Sequence, residues 1–136
     1  MKKVEVVAGL IVKSGMVLCV QRGVNKYLYI SHKWEFPGGK LEEGEDHRTA
    51  LTREIKEELH VGVNVGDHML TVEHQYPDFA LTMHAYRCEL VDESLPVTLT
   101  EHVALRWHKP NELSFTGLKW AAADVPIVAL LQGGRL

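Results

Sequence analysis

A chain of 136 residues, 46% hydrophobic and 24% charged, is long enough to bury one core and too short to bury two, which predicts a single domain over residues 1–136. No apolar run approaches the roughly 20 residues of a membrane span, and the start MKKVEVV lacks the apolar region of a signal peptide. We therefore expect a cytoplasmic protein with no membrane partner. A net charge of −3 argues against a general nucleic-acid-binding surface, so no nucleic-acid partner is expected, and the oligomeric state is left open.

The residues before the first helix predict short strands separated by a turn and a loop. Two stretches rich in β-branched residues flank a Lys-Ser-Gly turn and predict a hairpin. A stretch without a clean period follows and predicts a loop beside the active site, and Pro37 ends the short strand after it. In chain order these segments are Val4–Val12, 13–15, Met16–Gln21, 22–33 and Trp34–Phe36.

A helix with two different faces is predicted from about Asp46 to Leu59. On one face Glu54, Glu57 and Glu58 lie at i, i+3 and i+4, so three carboxylates share one side. Such like charges repel, and a divalent cation offsets this most simply; hard oxygen ligands suit Mg²⁺ or Mn²⁺. A solvated charged helix is the alternative interpretation. The apolar stripe beside the acidic face consists of Leu51, Ile55 and Leu59.

The second half of the chain predicts further strands and one more helix. Apolar and polar residues alternate most clearly from Phe79 to Glu89, after a turn at 76–78. A helical turn at 110–113 precedes the last helix, predicted from about Asp124 to Leu131, which tolerates Pro126 in its first turn. The other predicted strands are Val61–Val65, Met69–Gln75 and Val103–His108. Because strands and helices mix without regular alternation, we predict an α+β fold with a mixed or antiparallel sheet.

A glycine, a glutamate and the acidic helix are spaced in a pattern that resembles the Nudix box of the Nudix hydrolases. Gly39 is followed after five residues by Glu45, and after seven more by Arg53–Val61, which reads Arg-Glu-Ile-Lys-Glu-Glu-Leu-His-Val. Every fixed position of the box matches except the last glycine, where His60 affects the local turn rather than the chemistry. The segments that resemble the MutT-type, CTP pyrophosphohydrolase-like branch of the family are Trp34–Lys40, Glu101–Trp107 and Ala123–Ile127.

This resemblance implies a fold, an activity and a cofactor. The implied fold is the Nudix fold, an α/β/α sandwich around a mixed β-sheet. The implied activity is Mg²⁺-dependent hydrolysis of a nucleoside triphosphate, a small-molecule nucleotide, to the monophosphate and pyrophosphate. The enzymes that the chain resembles most act on CTP and modified dCTP. Hydrolysis of 8-oxo-dGTP is the nearest alternative. Hydrolysis of ADP-ribose or dinucleotides, and nucleotide binding without turnover, are the further alternatives.

The resemblance also implies which residues bind the metal ion and act in catalysis. Glu54, Glu57 and Glu58 would bind one to three Mg²⁺ ions together with the carbonyl oxygen of Gly39. Metal ions held in this way neutralise charge on the transferred group and orient or deprotonate the attacking water. The general base would be Glu54 or the distal Glu101, which is equally well interpreted as a surface residue before a strand.

Other residues near the box are predicted to orient the carboxylates and to bind phosphate. Arg53 and Glu45 are interpreted as orienting groups, Arg53 through a helical pair and Glu45 through its place near the helix start. Lys40 and Arg22 are the local cations available for phosphate. The glycine pair that begins with Gly38 lets the backbone approach a ligand or metal ion closely.

Phe36 and Asp124 each allow two interpretations. Phe36 packs under the glycine turn or lines a pocket for the base, and the core position is favoured. Asp124 fits the N-cap of the last helix, but in MutT-type enzymes an Asn or Asp at the corresponding position reads the base. A carboxylate accepts a hydrogen bond from the exocyclic amino group of cytosine, adenine or guanine, so Asp124 does not identify the base.

The cysteines and histidines form no recognisable metal-binding spacing. Cys19 and Cys88 lie in strand-like stretches, which predicts reduced core thiols rather than a disulfide. Because no His-x-x-x-His pattern occurs, the histidines are interpreted as polar loop or strand positions rather than zinc ligands. This applies to His32, His74, His84, His102 and His108, of which only His102 has a possible link to the metal site, through water.

Overall fold

Strand β1 (Lys2–Lys13) lies at the centre of the sheet in a computed structural model that describes residues 1–136. Along one edge it pairs in parallel with β6 (Phe79–Leu90). Along the other edge it pairs antiparallel with two strands, β2 (Met16–Gln21) and β4 (Gly38–Lys40). The sheet is therefore mixed, and β4 brings the glycine pair against the middle of the central strand.

The outer strands extend the sheet on both sides. β3 (Trp34–Glu35) and β7 (Ala104–His108) both pair antiparallel with β2, and β5 (Val63–Gln75) pairs antiparallel with β6. The two strands predicted between Val61 and Gln75 are one strand, and that prediction was wrong because shifts in register near His68 interrupt the alternation without ending the pairing. β4 was not predicted at all, since a Gly-Gly-Lys sequence carries no strand signal.

Two helices cover opposite faces of the sheet. α1 (His47–Leu59) packs on the face that carries Val7 and Ile11, and α2 (Val125–Gln132) packs on the face that carries Ala8 and Leu10. Neighbouring residues of a strand point to opposite faces, so β1 contributes to both cores. The predicted α/β/α sandwich around a mixed sheet is confirmed.

The two cysteines lie in different cores and form no disulfide. Cys19 is buried on the α2 side of the sheet and Cys88 on the α1 side, and both thiols are free. Burial raises the pKa of each thiol to about 12, which keeps both protonated. The prediction of reduced core thiols is confirmed.

No helix in the structure combines the length and the apolar character needed to cross a membrane.

Both ends of α1 are capped. A side chain caps the first turn, and a residue in the left-handed conformation ends the helix. Asp46 accepts a hydrogen bond from the backbone N–H of Thr49 at 2.7 Å, as an N-cap residue does. At the other end His60 adopts the left-handed conformation, with φ 57° and ψ 33°, that the box glycine would adopt easily. Its Nε2 lies 2.8 Å from Oγ1 of Thr100, and this contact offsets the conformational cost.

We expect His60→Gly to leave the free energy of unfolding almost unchanged. Relief of the left-handed conformation stabilises by up to about 1 kcal/mol, and loss of the hydrogen bond to Thr100 costs about as much. In a Thr100→Val background, where that bond is already absent, the same change should stabilise by about 0.5 to 1 kcal/mol. Urea denaturation of the four proteins measures both effects, and equal effects in the two backgrounds would contradict the interpretation.

Candidate active site

Two neighbouring cavities are lined by most of the predicted site residues, whereas Arg53, Glu54 and Glu57 line neither. The larger, of about 440 Å³, lies on the α2 face of the sheet, and the smaller has about 130 Å³. Four residues line both cavities: Arg22, Glu35, Gly38 and Gly39. The predicted residues found only in the larger cavity are Phe36, Lys40 and Asp124, and those found only in the smaller are Glu58 and Glu101.

The glycine pair allows two close approaches that any side chain would prevent. A Cβ atom on Gly38 would lie 1.9 Å from the carbonyl oxygen of Val7, where β4 pairs with β1. A Cβ atom on Gly39 would lie 2.4 Å from the carboxylate carbon of Glu54. The backbone of β4 therefore lies directly against a carboxylate of α1. Backbone carbonyl groups of β4 and side-chain carboxylates of α1 are thus neighbours.

Arg53 holds the carboxylates around it in fixed positions. Its Nε and Nη2 donate to Glu45 at 2.7 and 2.9 Å, and its Nη1 donates to Glu54 at 2.9 Å. The predicted pair with Glu57 is longer, at 3.4 Å, and Nη2 also donates to the carbonyl oxygen of Lys40 at 3.2 Å. The hydrogen bonds from Arg53 lower the pKa of Glu45 to about 2. This geometry matches the orienting roles predicted for Arg53 and Glu45.

Glu58 is a buried carboxylate with an unpaired oxygen. Its side chain is 16% exposed, and its Oε2 has no hydrogen-bond partner; Nδ1 of His102 lies 3.7 Å away and is also unpaired. Burial, followed by the charges of Glu35 and Glu54, raises the pKa of Glu58 to about 8. A buried unpaired carboxylate oxygen is costly, and a divalent cation would satisfy it, so this donor set fits a metal ion.

The three helix carboxylates are not equivalent. Glu54 and Glu58 are largely covered, whereas the side chain of Glu57 is 59% exposed and contacts Arg53. Their common face was predicted correctly from helical spacing, because α1 is regular throughout this segment. Their burial was not predictable from spacing, because it depends on β4 and on the segment around His102.

A three-residue cluster links the two cavities, and its centre is a residue that the sequence did not single out. Glu35 accepts hydrogen bonds from Nε of Arg22 at 3.1 and 3.2 Å, and its Oε2 lies 3.0 Å from Nε2 of His102. Arg22 uses only Nε in these contacts, which leaves its two Nη groups free for phosphate. In the sequence, Glu35 was indicated only by its place in the segment Trp34–Lys40, which resembles the family.

Asp124 does not cap α2 with its side chain. The carboxylate is 4% exposed, and its Oδ2 accepts a hydrogen bond from the backbone N–H of Phe36 at 2.9 Å. Because a 3₁₀ turn at Ala122–Asp124 precedes the helix, Asp124 is already in the helical region and makes no cap hydrogen bond. The N-cap interpretation was therefore wrong for the side chain. Burial, followed by the charge of Glu35, raises the pKa of Asp124 well above its usual value.

Phe36 and a group of tyrosines form the apolar part of the larger cavity. Phe36 is 3% exposed and stacks on Trp120 with ring centroids 5.1 Å apart, which confirms its core position, and it also lines the cavity. Tyr27, Tyr76 and Phe79 line the same cavity and were not predicted. Tyr27 comes from the irregular segment at 22–33, which the sequence predicted to be a loop beside the active site.

Comparison with known proteins identifies the family. The chain matches the NUDIX domain over residues 1–131. It is 34% identical to the CTP pyrophosphohydrolase of Escherichia coli (strain K12) over 135 residues, covering 99% of this chain and 96% of that protein. It is 39% identical over 83 residues to the 8-oxo-dGTP diphosphatase of Proteus vulgaris, covering 60% of this chain and 72% of that protein.

A solved structure agrees with this match. The chain is similar to the solution structure of the E. coli ORF135 protein, with a TM-score of 0.81 and 32% identity, covering 99% of this chain and 92% of that chain. The similarity therefore extends over the whole sandwich as well as the box. The chain belongs to the Nudix family and is a hydrolase that acts on phosphoanhydride bonds of nucleotides.

Proposed function

We propose that this hydrolase cleaves a nucleoside triphosphate to the monophosphate and pyrophosphate, with CTP or a modified dCTP as its preferred substrate. The observation that carries the proposal is one cavity of about 440 Å³ lined by both the buried carboxyl group of Asp124 and the box residue Gly39. A base beside Asp124 and phosphates beside Gly39 would share that space. Similarity to a CTP pyrophosphohydrolase over nearly the whole chain supports cytosine as the base.

Nudix hydrolases generally use divalent metal ions, and we propose Mg²⁺ or Mn²⁺ for this one. The ligands would be the carboxylates of Glu54, Glu57 and Glu58 and the carbonyl oxygen of Gly39. When bound, the ion neutralises charge on the phosphates and favours deprotonation of the attacking water. Arg53 is a positioning residue, because it holds Glu54 through a 2.9 Å hydrogen bond.

The other cationic and acidic residues would act on the phosphates and on the water. Lys40 is exposed at the wall of the larger cavity and Arg22 lines both cavities, so both would bind phosphate, and the backbone at Gly38 lines both cavities as well. Glu101 is the favoured general base, since it lines the smaller cavity and makes no side-chain hydrogen bond. Glu54 is the alternative, but it already accepts a hydrogen bond from Arg53.

Asp124 would select the base with its second oxygen. Oδ2 is occupied by the N–H of Phe36, and Oδ1 is free to accept from an exocyclic amino group. The ionised carboxylate is the effective acceptor, because protonation of Oδ1 would turn that oxygen into a donor. Because the pKa of Asp124 is raised, the preference for CTP over UTP should increase as the pH rises through that pKa.

We expect Asp124→Asn to reduce the ratio of kcat/KM for CTP over that for UTP by about 5-fold to 150-fold, equivalent to about 1 to 3 kcal/mol. The Asn carbonyl oxygen still accepts from the N–H of Phe36, so its amide N–H groups would face the base and favour the O4 acceptor of uracil over the amino group of cytosine. Steady-state kinetics with both nucleotides measures the ratio.

Asp124→Ala is the matched control for this prediction. It removes the acceptor of Phe36 as well as the base contact, so it should also lower the free energy of unfolding by about 1 to 3 kcal/mol. A folding defect lowers the active fraction equally for every substrate, so it does not alter the ratio. An unchanged CTP-to-UTP ratio in folded Asp124→Asn would remove Asp124 from the base site.

Hydrolysis of 8-oxo-dGTP is the second candidate function. It is supported by the 39% identity to an 8-oxo-dGTP diphosphatase, and guanine also carries an exocyclic amino group that Asp124 could bind. Mg²⁺-dependent kinetics with CTP, dCTP, 5-methyl-dCTP, 8-oxo-dGTP, ADP-ribose and a diadenosine polyphosphate decides between them. The highest kcat/KM for a cytosine triphosphate supports the proposal, and the highest value for any other substrate replaces it.

A further inference from the structure

A second group of potential metal ligands lies on the α1 face of the sheet. Glu5 on β1, His84 on β6 and His47 at the start of α1 each offer one ligand atom, and these three atoms lie within 4.8 Å of one another. None of the three residues lines either cavity of the active site. The sequence did not reveal the group, because its members come from three distant segments and show no His-x-x-x-His spacing.

Hydrogen bonds orient both imidazole rings, leaving Nε2 of His47 unpaired and directing Nε2 of His84 at the carboxylate of Glu5. Nδ1 of His84 lies 3.0 Å from Oγ1 of Thr71, and its Nε2 lies 3.2 Å from the carboxylate of Glu5. Nδ1 of His47 lies 2.7 Å from the hydroxyl oxygen of Tyr86, so its Nε2 remains for a ligand. Histidines that bind metal ions are oriented in this way by a partner on the second ring nitrogen.

The two rings also stack, with centroids 4.2 Å apart and planes 24° from parallel. Stacked imidazoles at this distance are compatible with each other only when they are not both charged. Burial, followed by the nearby His84, lowers the pKa of His47, which favours the neutral form that binds metal ions. The side chain of His84 is 14% exposed and that of Glu5 is 55% exposed, so the group is buried on one side and open to solvent on the other.

We propose that Glu5, His47 and His84 bind a divalent transition-metal ion, with Zn²⁺ as the representative, through two imidazoles and one carboxylate. Three protein ligands leave a fourth position for water, as in open zinc sites. Imidazole ligands favour Zn²⁺, Co²⁺ or Ni²⁺ over Mg²⁺, so the site differs in chemistry from the all-oxygen acidic face of α1. The ion would connect β1, β6 and the first turn of α1.

The site is tested by titrating the purified protein with Co²⁺ in excess Mg²⁺, added to occupy the proposed carboxylate site on α1. The visible absorption of Co²⁺ distinguishes a four-coordinate site with nitrogen ligands from six-coordinate oxygen ligation. We expect one equivalent of four-coordinate Co²⁺ in the wild type, displaced by Zn²⁺. His84→Asn and Glu5→Gln should each weaken Zn²⁺ binding by at least about tenfold, while Mg²⁺-dependent hydrolysis stays unchanged.

Two controls keep the outcome decisive. His32→Asn removes a histidine from an exposed loop position with φ 60°, which asparagine tolerates, and should bind Co²⁺ like the wild type. Glu5→Gln alters a half-exposed side chain and should fold even if His84→Asn does not. Wild-type Co²⁺ spectra and Zn²⁺ affinity in Glu5→Gln and in folded His84→Asn, or no four-coordinate Co²⁺ in the wild type, would overturn the proposal.

Discussion

Glu57→Gln is expected to lower kcat by roughly 10²-fold or more while leaving the protein folded. The carboxylate is one of the three proposed metal ligands, and metal-dependent or acid–base contributions to catalysis are of about this size. Its side chain is 59% exposed, and its contact with Arg53 is the longest of that residue's hydrogen bonds to carboxylates. The free energy of unfolding should therefore change by less than about 0.5 kcal/mol. Steady-state kinetics and urea denaturation measure the two quantities.

Glu43→Gln is the matched control for this variant. Glu43 is an exposed glutamate of the loop before α1 and makes no side-chain hydrogen bond, so its loss should leave kcat within a factor of about two. EDTA should abolish hydrolysis in the wild type, and added Mg²⁺ should restore it. Near-normal turnover by Glu57→Gln, or wild-type activity in EDTA, would exclude the assignment of the acidic face of α1 as the metal site.

The parts of the site that sequence reasoning predicted are those that local geometry determines. The positions of Glu54, Glu57 and Glu58 follow from helical periodicity alone, and the left-handed conformation of His60 follows from its place at the end of the helix. The pairing of Arg53 with Glu57 follows in the same way. These inferences needed no knowledge of how α1 packs against the sheet.

The contacts that were missed or misjudged depend on strand pairing between distant segments. Asp124 looked like a helix cap because its neighbours fit that role, but the N–H it binds belongs to Phe36, which lies 88 residues earlier in the chain. Glu35 and His102 meet because β3 and β7 both pair with β2. Such pairings follow from the register of the whole sheet, which no short motif encodes.

The second large effect is expected in the stability of the metal-free protein at different pH values. The pKa of Glu58 is raised to about 8 in the folded protein, whereas it is about 4.5 in the unfolded chain. Between these values the folded state binds the proton and the unfolded state does not, so the free energy of unfolding falls as the pH rises from about 5 to 8. The loss from one group is at most about 1.4 kcal/mol per pH unit, and we expect a few kcal/mol in total.

Glu58→Gln isolates this contribution, because glutamine is not titratable and has nearly the same shape. The raised pKa of Asp124 acts in the same direction, so the difference between wild type and Glu58→Gln, rather than the wild-type slope itself, reports on Glu58. Urea denaturation in EDTA at several pH values should give a steeper loss of stability for the wild type than for Glu58→Gln. Adding Mg²⁺ should reduce the wild-type slope, since a cation bound only by the folded, ionised form stabilises that form by mass action. Parallel curves for the two proteins in EDTA would mean that Glu58 ionises at its usual pKa in the metal-free protein. The burial of Glu58 would then no longer support a bound cation.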